Sequence, residues 1–186
     1  MRKIILASNS PRRKELLGRL GYEFEVRVID GIDESYPDGL TMEEIPRYIA
    51  AAKASAYTVG ADELLLTADT VVVLDGEVLG KPADAADAAR MLHALSGRTH
   101  HVITGVCLKT QDDERRFSVS TEVTFKALTD EEIDHYISHY HPYDKAGAYG
   151  IQEWIGYIGV TGIRGSYFNV MGLPVQRIYQ ELQGML

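Results

Sequence analysis

From Leu64 to Leu74 the chain reads Leu-Leu-Leu-Thr-Ala-Asp-Thr-Val-Val-Val-Leu, an apolar run broken by a single carboxylate. The run specifies a buried strand, and a buried strand commits the chain to a layered core built around it. A charge inside such a strand is unfavourable unless it is paired, hydrogen-bonded or bound to a metal. Asp69 therefore needs a reason. Either it sits at a strand end and caps a turn, or it takes part in catalysis or metal binding.

Strand and helix signals alternate around this run. Lys3 to Ser8 reads as a first strand, and Ser10-Pro11 opens a helix with serine as N-cap and proline at its first position. Tyr22 to Ile29 reads as a second strand. Thr41-Met42-Glu43-Glu44 has the capping-box pattern and starts a helix expected to reach about Thr58. Leu64 to Leu79 forms a hairpin turning at Asp75-Gly76. Asp84 caps a helix over Ala85 to Leu95, which Gly97 ends. Val102 to Leu108 and Phe117 to Leu128 make a second strand pair. Thr129-Asp130-Glu131-Glu132 opens a helix to about Tyr140. A short strand is expected near Trp154 to Val160, and Leu173-Pro174 opens the last helix. The pattern is that of a single α/β domain over residues 1–186, with a mixed sheet.

The chain has 186 residues, is 45% hydrophobic and has a formal net charge of -8. That balance argues against a surface for nucleic acid polymers, which needs an excess of Lys and Arg. The single cysteine, Cys107, lies in an apolar run and reads as a core residue. The opening Met1-Arg2-Lys3 precedes too short an apolar stretch for a signal-peptide core, and no run reaches membrane-spanning length. The expectation is a cytoplasmic protein with no membrane partner.

Several residues have the chemistry of a site. Arg12 and Arg13 lie in a helix's first turn, where the dipole and free N–H groups favour anions and the arginine fork suits phosphate oxygens. They either bind an anion or point into solvent. Lys53 and Lys81 are ordinary surface lysines by default, and Gly80-Lys81-Pro82 is not a P-loop because Pro82 stands where Ser or Thr is required. Asp33-Glu34 is either a solvated pair or a source of oxygen ligands for a hard cation. The segment Asp144 to Gln152 is rich in small residues, and Gln152 has the donor and acceptor to read a base edge or else faces water. The six histidines match no zinc motif and read as surface residues.

Taken in order, Ser8-x-Ser10-Pro11-Arg12-Arg13, Thr67-Ala68-Asp69-Thr70, Gly80-Lys81-Pro82, Ser96-Gly97-Arg98-Thr99-His100, Thr104-Gly105-Val106, Asp144 to Gln152 and Gly172-Leu173-Pro174 resemble the Maf proteins over nearly the whole chain. The resemblance implies a nucleoside triphosphate pyrophosphatase with an elongated α/β fold, a central mixed sheet flanked by helices, similar to the inosine-triphosphatase group. It implies a divalent metal, magnesium or manganese, and a homodimer. Arg12, Thr70 and Gln152 match the positions that mark the branch acting on dTTP and UTP. On this reading Asp69 is the general base or a metal ligand, and Glu34 helps to hold the metal. Ser8, Arg12, Arg13, Lys53 and Lys81 contact the triphosphate, while Thr70 and Gln152 face the pyrimidine. The alternative is a nucleotide-binding regulator of septum formation with little turnover. The chain departs from the family pattern at His141-Pro142-Tyr143 and at Glu153-Trp154, where a glycine commonly follows the glutamine.

Overall fold

The computed structural model describes residues 2–186. In chain order its strands and α-helices are β1 (Lys3–Leu6), α1 (Pro11–Arg19), β2 (Phe24–Val26), α2 (Glu44–Ser55), β3 (Glu63–Leu74), β4 (Glu77–Leu79), α3 (Ala85–Leu95), β5 (Thr99–Lys109), β6 (Glu114–Phe125), α4 (Asp130–Tyr140), α5 (Trp154–Gly159), β7 (Val160–Arg164), α6 (Tyr167–Met171) and α7 (Val175–Leu182). The strands follow the order β2-β1-β3-β5-β6-β7, with β4 beside β3. β1 runs parallel to β2 and β3, whereas β3–β4 and β6–β7 are antiparallel. The expected mixed α/β sheet is therefore present. No described helix is long and apolar enough to cross a membrane.

Local chemistry accounts for most element boundaries. Ser10 caps α1 through its side chain, Asp84 caps α3, and Thr129 with Glu132 forms a complete capping box on α4. Thr41 and Glu44 exchange the same reciprocal bonds at the start of α2. Asp75 and Gly76 both take positive φ, 51° and 79°, as a tight β3–β4 turn demands. Two expectations need correction. The second strand is shorter than Tyr22 to Ile29, because only Phe24–Val26 pairs with β1. The stretch expected as a strand from Trp154 is the helix α5, and β7 begins only at Val160. Within α5 the backbone passes so close to residue 151 that a Cβ on Gly156 would lie 1.8 Å from the Ile151 carbonyl oxygen. The chain folds back on itself there, which the apolar residues alone do not signal.

Contacts divide the chain into two compact units. The first holds residues up to Thr70, Thr104–Val119 and Gly172–Leu186. Its core includes Ile5, Ala50, Ala54, Tyr57, Val59, Leu65 and Cys107. Cys107 is buried as expected, and burial pushes its thiol up to about 12. Small residues let α2 sit close to the sheet: a Cβ on Gly105 would lie 2.2 Å from the backbone of Pro46 and Arg47. The Thr67 hydroxyl donates to the Ala50 carbonyl at 2.6 Å and pins the same helix.

The second unit holds Val71–Ile103 and Ser120–Met171. It packs α3, α4 and α5 residues such as Leu92, Ile133, Tyr136 and Ile155 with Val72, Val102 and Phe125. His100, expected at the surface, is buried. The alternation of β5 turns it inward between exposed Thr99 and exposed His101. It shares a 2.5 Å hydrogen bond with the Tyr149 hydroxyl and packs against Phe125. Burial holds its pKa down at about 4.

Candidate functional site

β3 is buried from Leu64 to Leu74 except at Asp69 and Thr70, which are half open. The carboxylate therefore lies at the one opening in the strand, and it is a paired charge rather than a turn cap. Lys53, from the last turn of α2, places Nζ 3.0 Å from Asp69 Oδ1. The same ammonium lies 3.2 Å from Glu34 Oε1. Lys53 and Asp69 side chains are 15% and 14% exposed, while Glu34 is 55% exposed. Lys53 is thus no ordinary surface lysine, and Glu34 belongs to the same cluster as Asp69. No described residue hydrogen-bonds Asp69 Oδ2, which leaves that oxygen open to accept a proton or a cation.

The donor set fits a hard divalent cation. Two carboxylate oxygens approach one point, the Lys53 ammonium, from different chain segments. Among the described residues no three His, Cys, Asp or Glu side chains gather to form a closed protein-only site. Glu34 and Asp69 would therefore share a cation with water or phosphate oxygens.

The start of α1 lies in the same unit. Ser8 is buried, and its Oγ accepts the Ser10 N–H at 3.2 Å. Ser10 in turn accepts the Arg13 N–H at 3.4 Å. Arg12 and Arg13 are half-buried in the first turn. Arg13 donates to the Gly172 carbonyl at 2.8 Å, to the Ala68 carbonyl at 3.1 Å and to Thr70 Oγ1 at 3.1 Å. Burial lowers its pKa, and Asp69 opposes that shift. Three of its five N–H groups are thus committed to the Ala68 carbonyl and the Thr70 hydroxyl, which flank Asp69, and to the Gly172 carbonyl ahead of α7. Arg13 braces the strand opening, with two N–H groups left for a ligand. Thr70 Oγ1 also lies 2.9 Å from Thr104 Oγ1. Sequence reasoning gave no role to Thr104 or to the Gly172 carbonyl, and no local pattern points to contacts so distant along the chain.

Lys81 and Gln152 lie in the second unit. Lys81 is exposed in the segment after β4. The Gly147 N–H donates to the Gly80 carbonyl at 3.1 Å, which fastens that segment to the loop leading to Gln152. Gln152 is half-buried, but its Oε1 is fully buried with no hydrogen-bond partner. A buried amide oxygen without a donor is an acceptor waiting for one.

Comparison with known proteins places the chain among relatives. A family model described as Maf-like protein matches residues 3–185. A dTTP/UTP pyrophosphatase from Phocaeicola vulgatus is 66% identical over 183 residues, covering 97% of this chain and 95% of that protein. One of the same name from Parabacteroides distasonis is 61% identical over the same shares. Among solved structures, the Ham1 protein of Staphylococcus aureus matches with a TM-score of 0.54 at 18% identity, over 100% of both chains. That likeness is one of fold.

Proposed function

We propose a function for this chain, which belongs to the Maf family: it is a nucleoside triphosphate pyrophosphatase that hydrolyses dTTP and UTP to the nucleoside monophosphate and pyrophosphate. The relatives' names support the substrates. The observation that carries the chemistry is the Asp69 carboxylate at the opening inside the buried run of β3, paired with Lys53 and having one oxygen unengaged.

In this reading water is split across the α–β anhydride. Asp69 accepts the water proton through Oδ2, and the bridging oxygen leaves with pyrophosphate. Lys53 keeps the Asp69 carboxylate in place. Arg12, Lys81 and the two remaining N–H groups of Arg13 offset the phosphate charge, which grows on the leaving group. Ser8 holds the turn into α1. Magnesium or manganese held by Glu34 would polarise phosphate oxygens, and Asp69 Oδ2 would join that metal where it does not itself take the proton. Thr70 and Gln152 choose the base. Uracil and thymine carry a ring N–H at position 3, and Gln152 Oε1 is the acceptor that lacks one. The resemblance also implies a cytoplasmic location and a homodimer, and the solution mass of the purified protein tests the homodimer.

The decisive experiment is product analysis with magnesium or manganese and a panel of nucleoside triphosphates. Monophosphate and pyrophosphate from dTTP and UTP, lost in Asp69→Asn, are the expected result. Nucleotide binding without any product would overturn the reading in favour of a regulator.

A further inference from the structure

The loop that presents Gln152 is held by more charge than a turn requires. Lys145 is only 9% exposed. Its ammonium lies 2.9 Å from Asp144 Oδ1 and 3.0 Å from Glu153 Oε1. The other oxygen of Glu153 accepts a hydrogen bond from the Tyr136 hydroxyl at 2.9 Å. That hydroxyl itself accepts the Gly150 backbone N–H at 3.0 Å. Tyr136 is fully buried on α4. Glu153 is therefore gripped from two sides, by a lysine of its own loop and by a tyrosine of a capped helix.

Gln152 shares this crowded space. A Cβ on Gly150 would lie 3.0 Å from Glu153 Oε1, 3.0 Å from Lys145 Cε and 3.2 Å from Gln152 Nε2. The amide is wedged beside the clamp, and its oxygen is buried there without a hydrogen-bond partner. A carboxylate with both oxygens engaged is poorly placed to act as a base or to take a metal. It is well placed to fix its neighbour. Glu153 is also a point where this chain departs from the glycine common in the proteins it resembles.

We propose that Glu153, clamped by Lys145 and Tyr136, is a positioning residue that aims the Gln152 amide oxygen at a base N–H and so sets the preference for uracil and thymine over cytosine. The proposal rests on the base-reading role given to Gln152 above. Cytosine offers a bare ring nitrogen at the same position, so a correctly aimed oxygen meets a second acceptor and rejects it. A loosened amide can turn its NH2 group toward cytosine and lose that discrimination.

The test measures kcat and KM for UTP, dTTP and CTP with the full-length protein and magnesium. The wild type should prefer UTP to CTP, and Gln152→Ala should abolish the preference. Glu153→Gly should reduce the UTP-over-CTP ratio of kcat/KM roughly tenfold. The loss should fall on the KM for UTP and leave its kcat unchanged. Combining Glu153→Gly with Gln152→Ala should add no further loss of selectivity, because the two act as one unit. Lys145→Arg, which keeps the charge, should retain selectivity. If Glu153→Gly does not fold, Tyr136→Phe removes one of the two grips and should shift the ratio in the same direction. Equal losses on UTP and CTP, or additive losses in the double variant, would overturn the positioning role. If selectivity depends on Gln152 but survives Glu153→Gly and Tyr136→Phe, only the positioning role falls. If the wild type shows no preference, or Gln152→Ala keeps it, the base reading fails and takes this proposal with it.

Discussion

Lys53 in the first unit and Lys145 in the second are both largely buried, and each lies between two carboxylates. Their surroundings differ in one respect. Asp69 uses a single oxygen on Lys53 and leaves the other open, whereas Glu153 has one oxygen on Lys145 and the other on Tyr136. The first unit keeps charged groups at a strand opening. The second engages a carboxylate and a ring nitrogen with aromatic hydroxyls, Tyr136 on Glu153 and Tyr149 on His100 Nε2, and leaves His100 Nδ1 and Gln152 Oε1 buried without a partner. A buried ion pair is thus not one device. An open oxygen makes it a reactive centre, and a closed one makes it a strut.

The largest expected effect tests the open oxygen. Asp69→Asn should lower kcat on UTP by about 10²–10⁴-fold, the usual loss for a missing acid–base group, with little change in thermal stability. Steady-state kinetics beside a melting curve checks this, and a variant retaining most of its turnover would erase the contrast with Glu153.

The next effect tests the neutral state of the buried His100 ring in the second unit. The pKa of His100 is about 4 folded, against 6.5 for the free side chain. Above pH 6.5 neither state binds the proton, so His100 adds no pH dependence. As pH falls from 6.5 to about 4 the unfolded chain is protonated and the folded one is not, and stability drops by about 3 kcal/mol. Denaturant melts across this range should show the fall, and His100→Asn should flatten it. An acid limb of equal slope in that variant would place the acid sensitivity elsewhere.

A smaller effect concerns how the first cluster is held together. Gly105→Ala forces a Cβ against the α2 backbone and should cost about 1–3 kcal/mol of stability. Because α2 carries Lys53, turnover should fall too, while selectivity between pyrimidines stays as in wild type. A change in selectivity instead would show that the two clusters are not separable in function. The smallest effect is a control. Arg19 and Glu15 form an exposed i,i+4 pair, and Arg19→Ala should leave Tm and kinetics unchanged.

Much of the secondary structure was legible because its signals are local. The Asp75-Gly76 turn, the Asp84 cap and the Thr129–Glu132 box each act within four residues, so their meaning survives without a fold. Asp69 was legible for the opposite reason, as a residue that contradicts its local context. The helix at Trp154 was not legible, since the close approach of Gly156 to the Ile151 carbonyl has no signal in the apolar pattern. His100 was misplaced because two adjacent histidines look alike until strand alternation assigns one to each side.

By itself, then, the sequence determined the α/β alternation, the helix caps and the presence of a carboxylate needing a partner. Only the tertiary structure decided which partner. It brought Lys53 to Asp69, set Arg13 on the Gly172 and Ala68 carbonyls and the Thr70 hydroxyl, and closed Glu153 with Tyr136. Those contacts join residues far apart in the chain. Backbone propensity acts over one helical turn or one strand pair, whereas the distance between two side chains on different elements is set by how the elements pack.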